Sequence, residues 1–114
     1  MARPTGDYLD AVAAAAVCRR EAAQIFGDWD FLLCPAMAAL AWPAGEAFPT
    51  EIDGRAAGPR DHAVFTGWMN VAGVPALSMP IATSSDGGGI GMQLVAAAGR
   101  GLELLEAAAT LLAS

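Results

Sequence analysis

Lysine is absent from this 114-residue sequence, and its six basic residues are all arginine. Arginine stays protonated at any working pH, so it cannot accept a proton during catalysis. Histidine is nearly absent as well, because His62 is the sole example. Lysine-dependent catalysis by this chain alone is therefore excluded, and His62 is the one imidazole in the sequence that could act as a general base.

Metal-binding and phosphate-binding motifs are also missing. The sequence contains no H-E-x-x-H, no C-x-x-C and no pair of histidines, which argues against a zinc site. The glycine run at 87–89 lacks the Lys-Ser/Thr ending of a phosphate-binding loop and predicts a flexible turn. We therefore expect no metal and no cofactor in this chain.

The charge is acidic, with twelve Asp and Glu against six Arg and a net charge of −6. Nucleic acids and anionic membrane surfaces both favour basic proteins, so we expect neither as a partner. No apolar run reaches the roughly 18 residues of a transmembrane helix, and the N-terminus does not resemble a signal peptide. Cys18 and Cys34 are then expected to be buried thiols rather than a disulfide. These features together predict a cytoplasmic protein.

Hydrophobic periodicity predicts an α/β fold for the chain. An amphipathic helix is expected over 7–26, where apolar residues recur at three- and four-residue spacing, and Gly27 supplies a stop signal. The apolar run FLLC at 31–34 fits a strand buried on both faces of a sheet. A final helix is expected over 102–113, with an apolar stripe of leucine and alanine.

Two more strands are expected at 74–81 and 90–96, separated by the polar turn ATSSDGGG. An antiparallel hairpin is the simplest way to pair them. Pro80 cannot donate to a ladder, so it predicts a bulge or an edge position in the first of these strands. The segment 43–60 is rich in Gly, Pro and charge and predicts a long exposed loop. We expect the whole chain, 1–114, to form a single unit.

Candidate binding residues lie in the short helix predicted over 62–71. Phe65, Trp68 and Met69 fall on neighbouring faces of this helix, either as part of the core or as the lining of a ligand pocket. Asn70 needs hydrogen-bond partners if it is buried, and capping of the backbone is favoured over contact with a substrate. The sequence leaves both interpretations of this group open.

The order of residues from 65 to 99 resembles the amidase signature family, serine hydrolases that cleave carboxamide C–N bonds. That family's C-terminal end carries N-x-x-G-x-P-A-x-S-x-P, a glycine-rich turn and G-x-Q-L-V. The matching positions here are Asn70, Gly73, Pro75, Ala76, Ser78, Pro80, Gly91, Gln93, Leu94 and Val95. The segment DFLLCP at 30–35 resembles the family's D-x-L-L-x-P strand. The resemblance therefore covers nearly the whole chain.

This resemblance implies the C-terminal portion of a mixed β-sheet flanked by helices, and about the last quarter of an amidase. The family uses a nucleophilic Ser, a second Ser in a cis peptide and a Lys base, and this chain has none of these positions. We therefore expect no catalytic residue here and no activity from the chain in isolation. The resemblance also places Phe65, Trp68, Met69 and Asn70 near the acyl-binding side, as the lining of the substrate pocket.

The expected partners follow from the same resemblance. A small-molecule amide would be the substrate only in the full enzyme, and the chain would pair with the missing N-terminal amidase portion or with itself. Two other functions stay open. One is a non-catalytic interaction or scaffold module derived from an amidase C-terminal lobe. The other is an independent hydrolase in which His62 acts with Asp61 and a serine, although a surface histidine is favoured.

Overall fold

A computed structural model describes residues 2–114 and shows helices packed on an antiparallel sheet, which confirms the α/β prediction. The elements in chain order are α1 (Thr5–Asp28), β1 (Phe31–Pro35), β2 (Glu51–Ile52), β3 (Arg55–Ala56), a 3-10 turn (Asp61–Ala63), α2 (Gly67–Ala72), β4 (Ala76–Thr83), β5 (Gly89–Ala96) and α3 (Gly101–Ala113). The helices predicted over 7–26 and 102–113 and the three predicted strands are present, with bounds shifted by a few residues. The helix predicted over 62–71 is instead split into the 3-10 turn and the short helix α2, so Phe65 lies before α2 and not within it.

The main sheet has the order β1-β5-β4, and both of its pairings are antiparallel. Strands β4 and β5 form the predicted hairpin. Pro80 lies at a register shift between Pro80 and Ala82 in β4, and β4 is an edge strand, as expected for a residue that cannot donate to the ladder. A mixed sheet would need a parallel neighbour, and residues 2–114 do not contain one.

One face of this sheet carries the hydrophobic core. Helix α3 packs across β4 and β5 and buries Leu104 and Ala108 against three sheet residues, Met79, Leu94 and Ala96. The five residues belong to one contiguous cluster. Side chains alternate between the two faces along β5, so Met92, Leu94 and Ala96 all point to this face.

The opposite face of the sheet is packed against α1 and α2. Val95 of β5 is fully buried there, and Leu32 of β1, its partner in register, lines a groove with Ala22 of α1. Two polar contacts join the helices. The Nε of Arg19 donates to the carbonyl oxygen of Val71 at 3.1 Å, and Cys18 Sγ lies 3.9 Å from the carbonyl oxygen of Trp68. Helix α2 is thus held between α1 and the sheet.

The segment 43–60, which the sequence predicts to be a long exposed loop, contains two short strands. Strands β2 and β3 pair as a small antiparallel hairpin inside it, and Pro49 is buried. The turn consists of Asp53 and Gly54, whose φ angles are 51° and 74°. Positive φ at both central residues is typical of the two-residue turn that joins a tight hairpin. The remainder of the segment is mostly exposed.

The prediction that β1 is buried on both faces also needs correction. Leu32 and Cys34 are half-buried, but Phe31 and Leu33 are 37% and 54% exposed. Both side chains lie on the α3 face of the sheet, since Leu33 pairs with Leu94. Helix α3 packs over β4 and β5, so it leaves this face of the edge strand β1 largely uncovered.

Candidate functional site

A buried amide connects the sheet to the segment that carries the predicted binding residues. Gln93, in the middle of β5, is 7% exposed. Its Nε2 donates to the carbonyl oxygen of Phe65 at 3.2 Å, and it lies 3.3 Å from Cys34 Sγ and 3.6 Å from Met69 Sδ. A buried amide without partners is destabilising, so these contacts satisfy Gln93 and fix the position of residues 65–69 over the sheet.

Helix α2 is short because the chain turns sharply at Gly73. This residue has φ 70° and ψ 31°, the left-handed conformation that glycine adopts without strain. Its N–H donates to the carbonyl oxygen of Met69 at 2.9 Å, and the N–H of Val74 reaches the same oxygen at 3.3 Å. In the N-x-x-G motif, Asn70 therefore lies in the last turn of α2, and Gly73 is the C-terminal cap of that helix.

The four predicted binding residues occupy different environments around α2. Met69 is 3% exposed, beneath the helix and in contact with Gln93. Trp68 is half-buried and lines a groove of about 300 Å³ between α1 and β1. Phe65, at 36%, and Asn70 are both exposed.

The expectation that Asn70 caps the backbone is wrong. The residue lies inside α2, and its side chain makes no hydrogen bond with any residue from 2 to 114. The helix begins after Thr66 and ends at Gly73, so neither cap position falls on Asn70. The side-chain amide of Asn70 therefore has a free hydrogen-bond donor and acceptor at the surface of α2.

Two clefts that the sequence did not predict flank the segment 37–42. The first, of about 420 Å³, lies between this segment and residues 89–91 at the start of β5. The second, of about 530 Å³, lies between the segment and the β2 strand. Trp42 lines both, and none of the four predicted residues lines either. The signal available in the sequence was the apolar stretch AMAALAW directly after β1.

Gly91 allows close packing at the first of these clefts. A Cβ on this residue would lie 2.9 Å from Ser78 Oγ and 3.2 Å from Ala36 Cβ. Both distances are shorter than ordinary van der Waals contacts, so a side chain at 91 would displace the Ser78 hydroxyl and require Ala36 to move by a few tenths of an ångström. Packing therefore favours glycine at this position of the G-x-Q-L-V motif.

His62 does not form a catalytic triad with described residues. Its ring packs against Trp42, with centroids 4.9 Å apart, and its Nδ1 is buried without a hydrogen-bond partner among residues 2–114. The neighbouring Asp61 carboxylate accepts from the N–H of Gly58 at 2.7 Å and does not orient the imidazole. The independent-hydrolase hypothesis needs that orientation and so loses its support.

The glycine-rich turn between β4 and β5 has its own hydrogen bonds. Asp86 accepts from the hydroxyl of Ser84 and from the N–H of Gly88, and these two bonds lower the pKa of its exposed carboxyl group. The Ser84 hydroxyl also contacts the carbonyl oxygen of Gly88 at 3.0 Å. Ser84 is thus engaged in shaping the turn.

Comparison with known proteins identifies the family. The family model for Amidase matches residues 2–105. The chain belongs to the amidase family. AmiC of Mycobacterium tuberculosis, whose name assigns it only provisionally to the amidases, is 38% identical over 112 residues, covering 95% of this chain and 24% of that protein. The 6-aminohexanoate-cyclic-dimer hydrolase of Paenarthrobacter ureafaciens is 42% identical over 90 residues, covering 73% of this chain and 18% of that protein.

The fold agrees with this assignment. The chain superposes on a crystal structure of an amidase with a TM-score of 0.86 at 30% identity, over 97% of this chain and 25% of that one. The amidase chain described here therefore spans about a quarter of the length of the relatives it matches. Within residues 2–114, no helix is long and apolar enough to cross a membrane, and no cluster of His, Cys, Asp and Glu could hold a metal ion.

Proposed function

We propose that this chain acts as one unit, the C-terminal part of a cytoplasmic amidase domain that hydrolyses the C–N bond of small carboxamides through an acyl-serine. The match of residues 2–105 to the amidase family carries this proposal. The chain has no lysine, so the base and the nucleophile it activates come from the rest of such an enzyme. The chain itself contributes binding rather than chemistry.

We assign this contribution to substrate binding to the exposed surface of α2 and of the residues that directly precede the helix. Phe65 and Trp68 offer aromatic area, and Asn70 offers an amide that can pair with the N–H or C=O of a carboxamide. Ligand pockets combine mostly apolar lining with a few polar groups in this way. Met69 lies beneath this surface and supports it through its contact with Gln93. The exposure of Phe65 and Asn70 supports the proposal, because both side chains are free to face a substrate.

The test uses a chimaera in the hydrolase from Paenarthrobacter ureafaciens. The segment of that enzyme that matches this chain is replaced by this chain, and hydrolysis of the 6-aminohexanoate cyclic dimer is measured. We expect a folded, active chimaera in which Phe65→Ala or Asn70→Ala lowers kcat/KM by about tenfold or more, a loss of about 1.4 kcal/mol in transition-state stabilisation.

Trp29→Ala is the control for the aromatic variant Phe65→Ala, and Gln24→Ala is the control for the amide variant Asn70→Ala. Both control residues are exposed and lie near the end of α1. Both should leave kcat/KM unchanged. A chimaera that melts cooperatively but has no activity would contradict the proposed function. Equal effects of the two variants, Phe65→Ala and Asn70→Ala, and of their controls would contradict the assignment of the pocket while leaving the proposed amidase function intact.

A further inference from the structure

The cleft between the segment 37–42 and β2 combines an aromatic wall with carboxylates. Its volume of about 530 Å³ lies within the range of pockets that hold small organic ligands. Trp42 forms one wall, and the charged residues that line the cleft are Glu46, Glu51 and Asp53. No arginine of residues 2–114 lines it. The cleft is therefore partly apolar and aromatic, and the charges around it are negative.

The indole of Trp42 is held in place by two contacts. Its Nε1 donates to the carbonyl oxygen of Glu46 at 3.0 Å, and its ring lies against the imidazole of His62 at an interplanar angle of 57°. The segment that carries Trp42 is attached to the same histidine, because the N–H of Ala38 donates to the His62 carbonyl oxygen at 3.0 Å. An indole that is already fixed loses little conformational freedom when a ligand binds against it.

The three carboxylates of the cleft are not neutralised by the chain itself. The one ion pair among residues 2–114 joins Arg100 to Glu103 on α3. Arg55 is close in sequence, but it stands opposite Ile52 in the β2–β3 hairpin, so its side chain lies on the other face of the hairpin from Glu51. Because all three carboxylates line one cleft, a cation that binds there is attracted by each of them.

We propose that this cleft binds an organic ammonium ion that carries a short apolar chain. The charged nitrogen lies near the carboxylates and the face of Trp42, and the apolar chain lies along the alanine-rich segment 38–41. A cation over an indole is attracted by the ring, so the aromatic wall and the carboxylates favour the same charged group. The carboxylates do not form a cluster that could hold a metal ion, so an organic cation is the better match. Such binding needs no catalytic residue and is a property of the 114-residue chain itself.

Saturation-transfer NMR on the 114-residue chain tests the site, with n-hexylammonium as the probe. A primary amine is protonated at pH 7, and hexan-1-ol and hexanoate supply the neutral and anionic ligands of the same chain length. We expect saturable binding of n-hexylammonium, with a Kd at least about fivefold lower than that of either control ligand. Equal affinity for hexan-1-ol would show an apolar cleft without preference for a cation and would overturn the proposal. Absence of saturable n-hexylammonium binding would overturn it as well.

Charge-matched variants show whether the cleft is the site of binding. The cleft variant combines Glu46→Gln, Glu51→Gln and Asp53→Asn, and asparagine tolerates the positive φ of 51° at position 53. The control variant removes the same number of charges at exposed positions of α1 and α3 that do not line the cleft, by Asp10→Asn, Asp28→Asn and Glu106→Gln. We expect the Kd for n-hexylammonium to rise about fivefold or more in the cleft variant and less than about twofold in the control. Equal weakening in both would indicate general attraction to an acidic chain and would contradict a site in the cleft.

The aromatic wall has its own test. Trp42→Leu should raise the Kd for n-hexylammonium about two- to fivefold, the loss expected for one cation–π contact. Trp29→Leu is the control, because Trp29 is 68% exposed and does not line the cleft. An unchanged Kd in Trp42→Leu that still melts cooperatively would contradict the role of the indole. If Trp42→Leu does not fold, the charge-matched variants decide the proposal, because all of their substituted residues are exposed.

Discussion

Gln93 is the residue on which the geometry of the candidate site depends most. Its amide is buried and its Nε2 bonds a backbone carbonyl, so an apolar replacement leaves that carbonyl unpaired. We expect Gln93→Leu to lower the free energy of unfolding by about 1–3 kcal/mol. Urea denaturation of the chain would measure this, with Gln24→Leu on the exposed side of α1 as the control. An unchanged midpoint for Gln93→Leu would mean that the Phe65 carbonyl finds another partner.

Asn70 should behave in the opposite way. Its side chain is exposed and makes no hydrogen bond among residues 2–114, so stability does not depend on it. We expect Asn70→Ala to change the free energy of unfolding of the isolated chain by less than about 0.5 kcal/mol. Alanine is also the better helix former, which offsets small losses. A loss beyond about 1 kcal/mol in thermal or urea unfolding would instead indicate a structural role for this amide.

At the scale of the elements, helix α2 ends where it does because of the backbone at Gly73. A Cβ there meets no atom within 4 Å, so any effect of a substitution comes from the left-handed φ of 70°. We expect Gly73→Ala to destabilise the chain by about 1–2 kcal/mol. Gly67, at the start of the same helix, has equal space and no positive φ. Gly67→Ala is the matched control and should stabilise the chain by about 0.4–1 kcal/mol. Similar unfolding midpoints for the two variants would refute the conformational explanation.

The elements also show which parts of the fold a sequence can predict. Periodicity was sufficient for α1, α3 and the β4–β5 hairpin, because each has a long or strictly alternating pattern. The β2–β3 hairpin was missed, although Asp53-Gly54 is a strong turn signal, since its two-residue strands are too short to show a period. The exposure of β1 could not be predicted, because an apolar run does not tell whether a strand lies inside a sheet or at its edge.

The candidate site was harder to predict than the fold. The sequence identified Phe65, Trp68, Met69 and Asn70 as a group, and the structure separates them by depth around α2. Helical residues one or two positions apart point in different directions, so spacing alone does not place them in one pocket. Whether they line a pocket stays a prediction. The sequence identified Gln93 as a position of the G-x-Q-L-V motif, but it could not show that Gln93 contacts Phe65 and Met69, because these partners are distant in the sequence.

At the scale of the whole molecule, the chain exposes 8057 Å², whereas a compact monomer of this mass exposes about 5,800 Å². This larger exposed area predicts that the isolated chain associates. Exposed apolar residues on α1 and α3 lie outside the small core. Apolar patches beyond a few hundred Å² mark interfaces or aggregation sites. We expect the isolated chain to form dimers or larger species at micromolar concentration, as measured by light scattering after size-exclusion chromatography. A monodisperse monomer of 11.6 kDa with a cooperative melt would contradict this expectation.

The side chains of residues 2–114 do not assemble a catalytic group for amide hydrolysis. Amide hydrolysis needs a nucleophile, a base within hydrogen-bond reach and a group that orients the base. The chain has no lysine, and the carboxylate of Asp61 is bonded to the backbone of Gly58 rather than to His62. We therefore expect the isolated chain to hydrolyse simple aliphatic and aryl amides no faster than buffer. The informative variant is His62→Ala, because activity that disappears with this imidazole would establish an independent hydrolase. Activity that survives His62→Ala and falls as the sample is purified further would indicate a contaminant, and the expectation that the isolated chain is inactive would stand.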